Sequence, residues 1–326
     1  MSEEVRAAGT VGLAPDDADG PTYYGRPAVK EPVWIWSVPA YLFTGGVAGG
    51  AATVAGVAQV LAPDRLRWLV TRGRWVAAGG GALGTVFLIH DLGRPARFLN
   101  MLRVFRPSSA MSMGSWTLAG FAGAATTAAV APVVLPGRGG RLVGNVGGLA
   151  AGLLGPVLGT YTGVLLGDTA VPVWVASRRQ LPLLFAASAL AGAGDVLELL
   201  GPDPDSEPVG RRVSTVAKTA ELGAARALEA AATAEPEVGP ALTQGVAGDL
   251  WRASTALTAA GLVVTNLPVG GRLRRLRRRV AALLGVVGGV LMRFALVRAG
   301  AASARDPRAT FGPQRRRRSG PGGSRR

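Results

Sequence analysis

Two acids, Asp195 and Glu198, sit one helical turn apart inside an otherwise apolar stretch, and a Lys218–Glu221 pair follows at the same spacing. Carboxylates at membrane depth mark either a proton route or a buried ion-pair network. Both readings fit here: Lys218 or Arg226 can neutralise the acids, and Arg293, the sole charge in the last apolar stretch, can neutralise one of them. A second group, His90-Asp91 with Arg94 close behind, ends another apolar stretch. An acid at a membrane boundary beside an arginine suits proton donation, its acidity set by partial burial and the adjacent cation. The alternative for Asp91 is an ion pair that fixes the following loop, and Arg94 suits that structural role. His90 suits a pocket or an interfacial hydrogen bond. Tyr161 lies among glycines, where a phenol can present its hydroxyl in a gap; the alternative is a tyrosine of the interfacial aromatic belt.

The missing residue types narrow the chemistry further. Cys is 0 and His is 1. Without cysteine the chain cannot hold an iron–sulfur cluster, a structural zinc or a disulfide, and it has no thiolate nucleophile. One histidine cannot supply the two axial imidazoles of a membrane b-type haem. No metal site is expected.

These groups need elements to position them. The 326 residues are 48% apolar and only 17% charged, yet 36 Lys+Arg against 20 Asp+Glu leave a formal charge of +16. Such a chain concentrates its charges between long uncharged stretches, as membrane proteins do. A helix needs about 20 apolar residues to cross a bilayer. Seven stretches qualify: 34–63, 75–89, 107–137, 142–167, 180–200, 253–271 and 280–297. An eighth, 213–233, is Ala-rich but carries Lys218, Glu221, Arg226 and Glu229. Pairing at i,i+3, Lys218 with Glu221 and Arg226 with Glu229, makes it tolerable as a helix buried among others; the alternative is an amphipathic surface helix.

The expected fold is therefore all-α: a polytopic transmembrane bundle of about eight spans, seven clear plus one polar, arranged as two four-helix bundles. A polar segment (1–33), a transmembrane domain (34–300) and a basic tail (301–326) divide the chain. The first segment lacks a secretory apolar core and a twin arginine, so the first span is expected to be retained. Gly155, Gly159, Gly163 and Gly167 recur every four residues, as do Gly45/Gly49 and Gly46/Gly50. Small residues at this spacing let helix backbones approach closely in lipid. Basic residues fall on both sides of an eight-span arrangement, so charge assigns no orientation.

Four stretches are more specific than generic membrane sequence. The first is Tyr23-Tyr24-Gly25-Arg26-Pro27, followed by Pro32-Val33-Trp34-Ile35-Trp36 and Tyr41-Leu42-Phe43-Thr44. The second runs from Asp91-Leu92-Gly93-Arg94-Pro95 through Phe98-Leu99-Asn100-Met101-Leu102-Arg103 to Met111-Ser112-Met113-Gly114-Ser115-Trp116. The others are Tyr161-Thr162-Gly163 with Pro172-Val173-Trp174, and Ala304-Arg305-Asp306-Pro307. Together they resemble the NrfD/PsrC family, the membrane subunits of polysulfide reductase, formate-dependent nitrite reductase and related complexes, from Tyr23 to about Arg318.

The resemblance implies about eight transmembrane helices, no haem, and a quinone or quinol site near one membrane face. It implies electron exchange with a docked ferredoxin-like 4Fe-4S subunit wired to a molybdopterin-type or other catalytic subunit. The bound substrate would be menaquinone or ubiquinone, with no haem or iron–sulfur cluster in this chain itself. On this view Tyr161, Asp91 and His90 are quinone ligands or proton donors, Arg94 sits beside them, and Trp34, Tyr41, Ser115 and Trp116 line the mouth. Asp195, Glu198, Lys218 and Glu221 are the proton path. The family pattern implies Asn or His near the mouth, where this chain has Trp36-Ser37-Val38. The basic loop from Arg94 and Arg97 to Arg103 and Arg106 suits an acidic iron–sulfur partner. Runs of arginine at 272–279 and 315–318 read as lipid-headgroup anchors rather than nucleic-acid sites. Two other classes stay open: a membrane anchor without quinone chemistry, and a secondary transporter. The chain is thus expected in the cell (inner) membrane, as a multi-pass subunit of a quinone-dependent, formate dehydrogenase- or polysulfide reductase-like complex, with no catalytic cofactor of its own.

Overall fold

In a bilayer every backbone N–H and C=O must find a partner within the chain, which leaves uncharged stretches little choice but helix. The computed structural model describes residues 29–312 except 269 and 272; the Tyr23–Pro27 motif and the arginines at 315–318 lie outside the described residues. Eight long helices carry the fold: α1 (Ser37–Leu61), α2 (Arg67–Leu92), α4 (Ala110–Val134), α5 (Arg138–Gly167), α7 (Leu181–Leu199), α8 (Ser206–Thr233), α10 (Gly245–Asn266) and α11 (Leu273–Arg305). Three short helices, α3 (Pro95–Met101), α6 (Pro172–Ala176) and α9 (Gly239–Thr243), lie in the connections, each with proline in its first turn. There is no strand among the described residues.

Six of these helices, α1, α2, α4, α5, α7 and α11, are long and apolar enough to cross a membrane. The chain is an integral, multi-pass membrane protein. The uncharged stretch 253–271 falls in α10, which begins earlier, at Gly245, carries Asp249 and Arg252, and ends at Asn266. With α8 it makes the polar part of the bundle. Alternation of the eight long helices puts α3, α6 and α9 on one face, hereafter the loop-rich face. The connections on the opposite face are short.

The helices form two groups of four. In the first, α1 packs on α2 and α5, and α4 fits against α2 and α5. In the second, α7 packs on α8 and α11, and α10 on α8 and α11. Contacts of α1 and α5 with α7 join the groups. The join is made at backbone distance. A Cβ on Gly49 would lie 2.5 Å from the carbonyl oxygen of Gly155 in α5, and one on its neighbour Gly50 would collide with the carbonyl of Ala189 in α7. The four-residue glycine stripe of α5 faces these same partners, Gly155 meeting Gly49 and Gly159 meeting Ala189.

At its end, α2 turns through Gly93 in the left-handed region (φ 67°), whose N–H donates to His90 O at 3.2 Å. This turn delivers the chain into α3. Ser109 caps α4, accepting from the Ser112 N–H at 3.4 Å. On the same face Arg305, ending α11, donates to Glu31 at 2.7 Å and holds its carboxyl below the usual carboxylate range.

Gly50→Val forces a branched side chain into the Ala189 carbonyl, and overpacking of this kind costs about 1–3 kcal/mol or more. The thermal midpoint of the detergent-purified protein should fall by several degrees or folded yield should collapse. Gly79→Ala, at a position with no neighbour within 4 Å, should be neutral or slightly stabilising. Equal midpoints for the two variants would contradict backbone contact between α1 and α7.

Candidate functional site

The loop-rich end of the first bundle brings together Asp91, His90, Tyr41, Tyr161 and Ser115. Asp91, half-buried at the end of α2, faces Ser37 and the backbone of Ile35 at the start of α1. The Ser37 hydroxyl is buried and sits against the Asp91 carboxylate. His90 is exposed and sits against Trp36, with ring centroids 5.6 Å apart; Trp36 also meets Phe87 edge-on at 5.7 Å. One helical turn into α1, the buried Tyr41 lays its ring across Gly45 and Gly84, between α1 and α2.

Tyr161 crosses from α5 to the first turn of α4, where its hydroxyl donates to Ala110 O at 2.6 Å. Its ring occupies the space that a side chain at Gly114 would need. The phenol therefore braces two helices, and only its oxygen lone pairs remain for another group. Ser115 is buried, with its hydroxyl turned back to Met111 O at 2.9 Å.

Other expected members lie apart from this group. Trp34 stacks on Trp174 of α6, centroids 5.2 Å apart and planes 17° from parallel. The Trp174 indole in turn donates to Leu296 O of α11 at 3.0 Å. Trp34 thus ties the chain start to the second bundle. Trp116 is 41% exposed and meets Phe105 edge-on at 6.0 Å. Arg94 is exposed at the start of α3, and no ion pair joins it to Asp91.

The acids of the second bundle do come together. Lys218 Nζ lies 2.7 Å from Asp195 Oδ1, with both side chains buried, and also donates to Ala281 O at 3.3 Å. The Ser214 hydroxyl donates to the same Asp195 oxygen at 3.1 Å. Gly285 of α11 leaves the space that Asp195 and Lys218 fill. Deeper in, Glu221 faces Ser188, Arg293 and Lys218. The Arg293 guanidinium lies 4.0 Å over the Phe185 ring, a cation–π contact that offsets part of its burial. The pairing within α8 expected from i,i+3 spacing does not form. Lys218 reaches across to α7 instead, Arg226 is exposed, and Glu229 accepts from the Trp251 indole at 3.1 Å.

Glu198 belongs to a separate group at the short-loop face. Arg278 Nε lies 2.7 Å from it, and Arg278 Nη1 lies 2.9 Å from Glu207. A cavity of about 10 Å³, room for a single water, runs between these groups and is lined by Asp195, Glu198, Ser214 and Arg278. Sequence reasoning missed Ser37, Ser188, Ser214 and Arg278. Serines carry no periodic signal, and Arg278 is one of a run whose members look alike until the fold selects one. Also missed was the clasp at the short-loop end of the first bundle, where Arg74 donates to Gln59 at 2.8 Å and Asn145 at 2.7 Å.

Fold and site define an all-α integral membrane protein with a polar, aromatic group at one face and compensated charges buried in its second half. Residues 27–133 match the family described as polysulphide reductase, NrfD. The match supports membership of the NrfD/PsrC family and covers part of the chain: α1 to α4, with Trp36, Tyr41, His90, Asp91, Arg94, Ser115 and Trp116. Tyr161 and the second bundle lie beyond it. A comparison with curated proteins finds no match.

Removing one member of a buried ion pair strands the other, at about 3–5 kcal/mol. Lys218→Met should therefore lower the thermal midpoint strongly, whereas Lys218→Met combined with Asp195→Leu should recover most of the loss. Additive losses in the double variant would show that the two charges are not each other's partner.

Proposed function

We propose that this chain is the quinone-binding membrane subunit of a respiratory oxidoreductase complex. The observation that supports this reading most is the meeting of the half-buried Asp91 with the buried Ser37 hydroxyl, beside Trp36 and Tyr41 and inside the stretch that matches the NrfD family. A carboxyl and a hydroxyl in contact at a membrane boundary can share a proton and offer it to a ligand carbonyl. Ser37 lies near the entry, where the family pattern implies Asn or His.

A bound quinone supplies the two-electron, two-proton chemistry that this chain's own residues do not. In this reading Ser37 donates a hydrogen bond to the ligand, and Asp91 holds and transfers a proton at its carboxylate. Trp36, Phe87 and Tyr41 exclude water from the ring. Tyr161 keeps the α4–α5 wall in register and offers an acceptor oxygen. His90, at the rim, passes protons to bulk water. The Asp195–Lys218–Glu221 group, with Glu198 and the small cavity beside it, makes a proton-handling half that opens on the short-loop face.

Electrons leave or arrive through a ferredoxin-like 4Fe-4S partner on the loop-rich face, with a molybdopterin-type or other catalytic subunit beyond it. There Arg97, Arg103 and Arg106 are exposed beside Leu99, Phe105 and Met111, which are 68%, 54% and 59% exposed. An exposed apolar patch with a basic rim fits an acidic protein surface. The reading of the chain as an anchor alone gives Tyr161 the role of a brace and nothing more.

In the co-purified complex, Asp91→Asn should lower quinone-dependent turnover by about a hundredfold, the scale of general acid–base catalysis, without moving the thermal midpoint. Tyr161→Phe should lower the midpoint as well as turnover. Full turnover in Asp91→Asn at saturating quinone would remove Asp91 from the site and favour the anchor.

A further inference from the structure

On the short-loop face the first two turns of α11 crowd Arg274, Arg275, Arg277, Arg278 and Arg279 together, with no acid in the first turn. This is the positive end of the helix dipole, where cations are unfavourable. Nearby carboxylates answer only part of the charge. Glu207 takes Arg274 at 3.0 Å and Arg278 at 2.9 Å, and Glu198 takes Arg278 at 2.7 Å. Asp205 is bound to Arg65 at 3.1 Å, and Asp203 accepts from the Ser206 N–H at 2.8 Å. Arg277 donates to the Leu267 carbonyl. Arg275 and Arg279, one turn apart on one side of the helix, have no ion-pair or hydrogen-bond partner among the described residues.

Those two arginines line a cleft. One lobe, of about 250 Å³, lies between Arg275, Arg278, Arg279 and the Gly201-Pro202 turn after α7. The adjoining lobe, of about 520 Å³, is bounded by Arg274, Arg275, Pro204 and Gly271. Arg275 and Arg278 belong to both. Glu198 and Glu207 border the cleft but are already held by Arg278 and Arg274, so the surplus charge facing it is positive. Farther along α11, on the side of the helix that carries Arg279, Leu283 and Val287 are 52% and 45% exposed. Guanidinium groups bind phosphate bidentately, and exposed apolar side chains one and two turns deeper along the helix suit acyl chains.

We propose that this cleft is a binding site for the phosphodiester headgroup of an anionic phospholipid, held by Arg275 and Arg279 with its acyl chains on Leu283 and Val287. Bound lipid would supply the negative charge that the α11 N-terminus lacks and lock α11 to the α7–α8 turn. That is the joint that also places Arg278 on Glu198.

The test uses the full chain in nanodiscs of phosphatidylcholine alone, or of phosphatidylcholine with phosphatidylglycerol or cardiolipin. Thermal midpoints and retained lipid are read, the latter by native mass spectrometry. The wild type should gain midpoint and retain anionic lipid. Arg275→Gln with Arg279→Gln should lose that gain, bind anionic lipid about thirtyfold more weakly, and melt like the wild type in phosphatidylcholine. Arg178→Gln with Arg179→Gln, on the opposite face, should keep the gain. No gain in the wild type, or equal loss in both double variants, overturns the proposal. Inorganic phosphate in phosphatidylcholine discs reproducing the full gain overturns the lipid as ligand and leaves a free-anion site.

Discussion

The fold depends on the backbone contact that α1 makes on two sides at once. Gly49 meets Gly155 of α5, and Gly50 meets Ala189 of α7. Lipid offers helices no hydrophobic reason to associate, so close packing has to supply the attraction. Two adjacent glycines give α1 two such surfaces, and α1 thereby becomes the member shared by both halves. This contact fixes the height and rotation of α1. Ser37 and Tyr41 at its start are consequently aimed at α2, where Asp91 and Gly84 receive them.

The two bundles are built on different terms. The first keeps its charges at the ends: Asp91 and His90 at one, the Arg74–Gln59–Asn145 clasp at the other. The second carries charges inside, set against partners, although Asp195 Oδ2, Glu198 Oε1 and Arg293 Nε are buried without a hydrogen bond among the described residues. Lys218 has Asp195, Arg293 has the Phe185 ring with Glu221 facing it, and Glu198 has Arg278. Such pairs are seldom more stable than apolar packing would be, so this half is built at a cost that the first half avoids.

Much of this was legible in the sequence. Uncharged length located the long helices, and glycine spacing in α1 and α5 announced where backbones would touch. The charged stretch expected as an eighth span forms α8, with one face buried and the other exposed, and it is not among the six helices apolar enough to cross a membrane. What it does with its charges was not legible, because i,i+3 spacing describes neighbours on one helix surface, whereas Lys218 is buried facing α7. Trp34 and Trp36, two residues apart, look equivalent in sequence. The end of α1 sends one to Trp174 and the other to His90. Ser37 entered the sequence reading only as part of the Trp36-Ser37-Val38 departure, since a serine near a helix start is ordinary until the fold buries its hydroxyl against Asp91.

Quinone binding at the loop-rich end of the first bundle is tested by photoaffinity labelling of the intact complex. An azido-quinone should label residues 34–41, 87–94 or 110–116, and excess unlabelled quinone should suppress the labelling. Suppressible labelling confined to α7, α8, α10 or α11, or no suppressible labelling in a complex that turns over quinone, would contradict it.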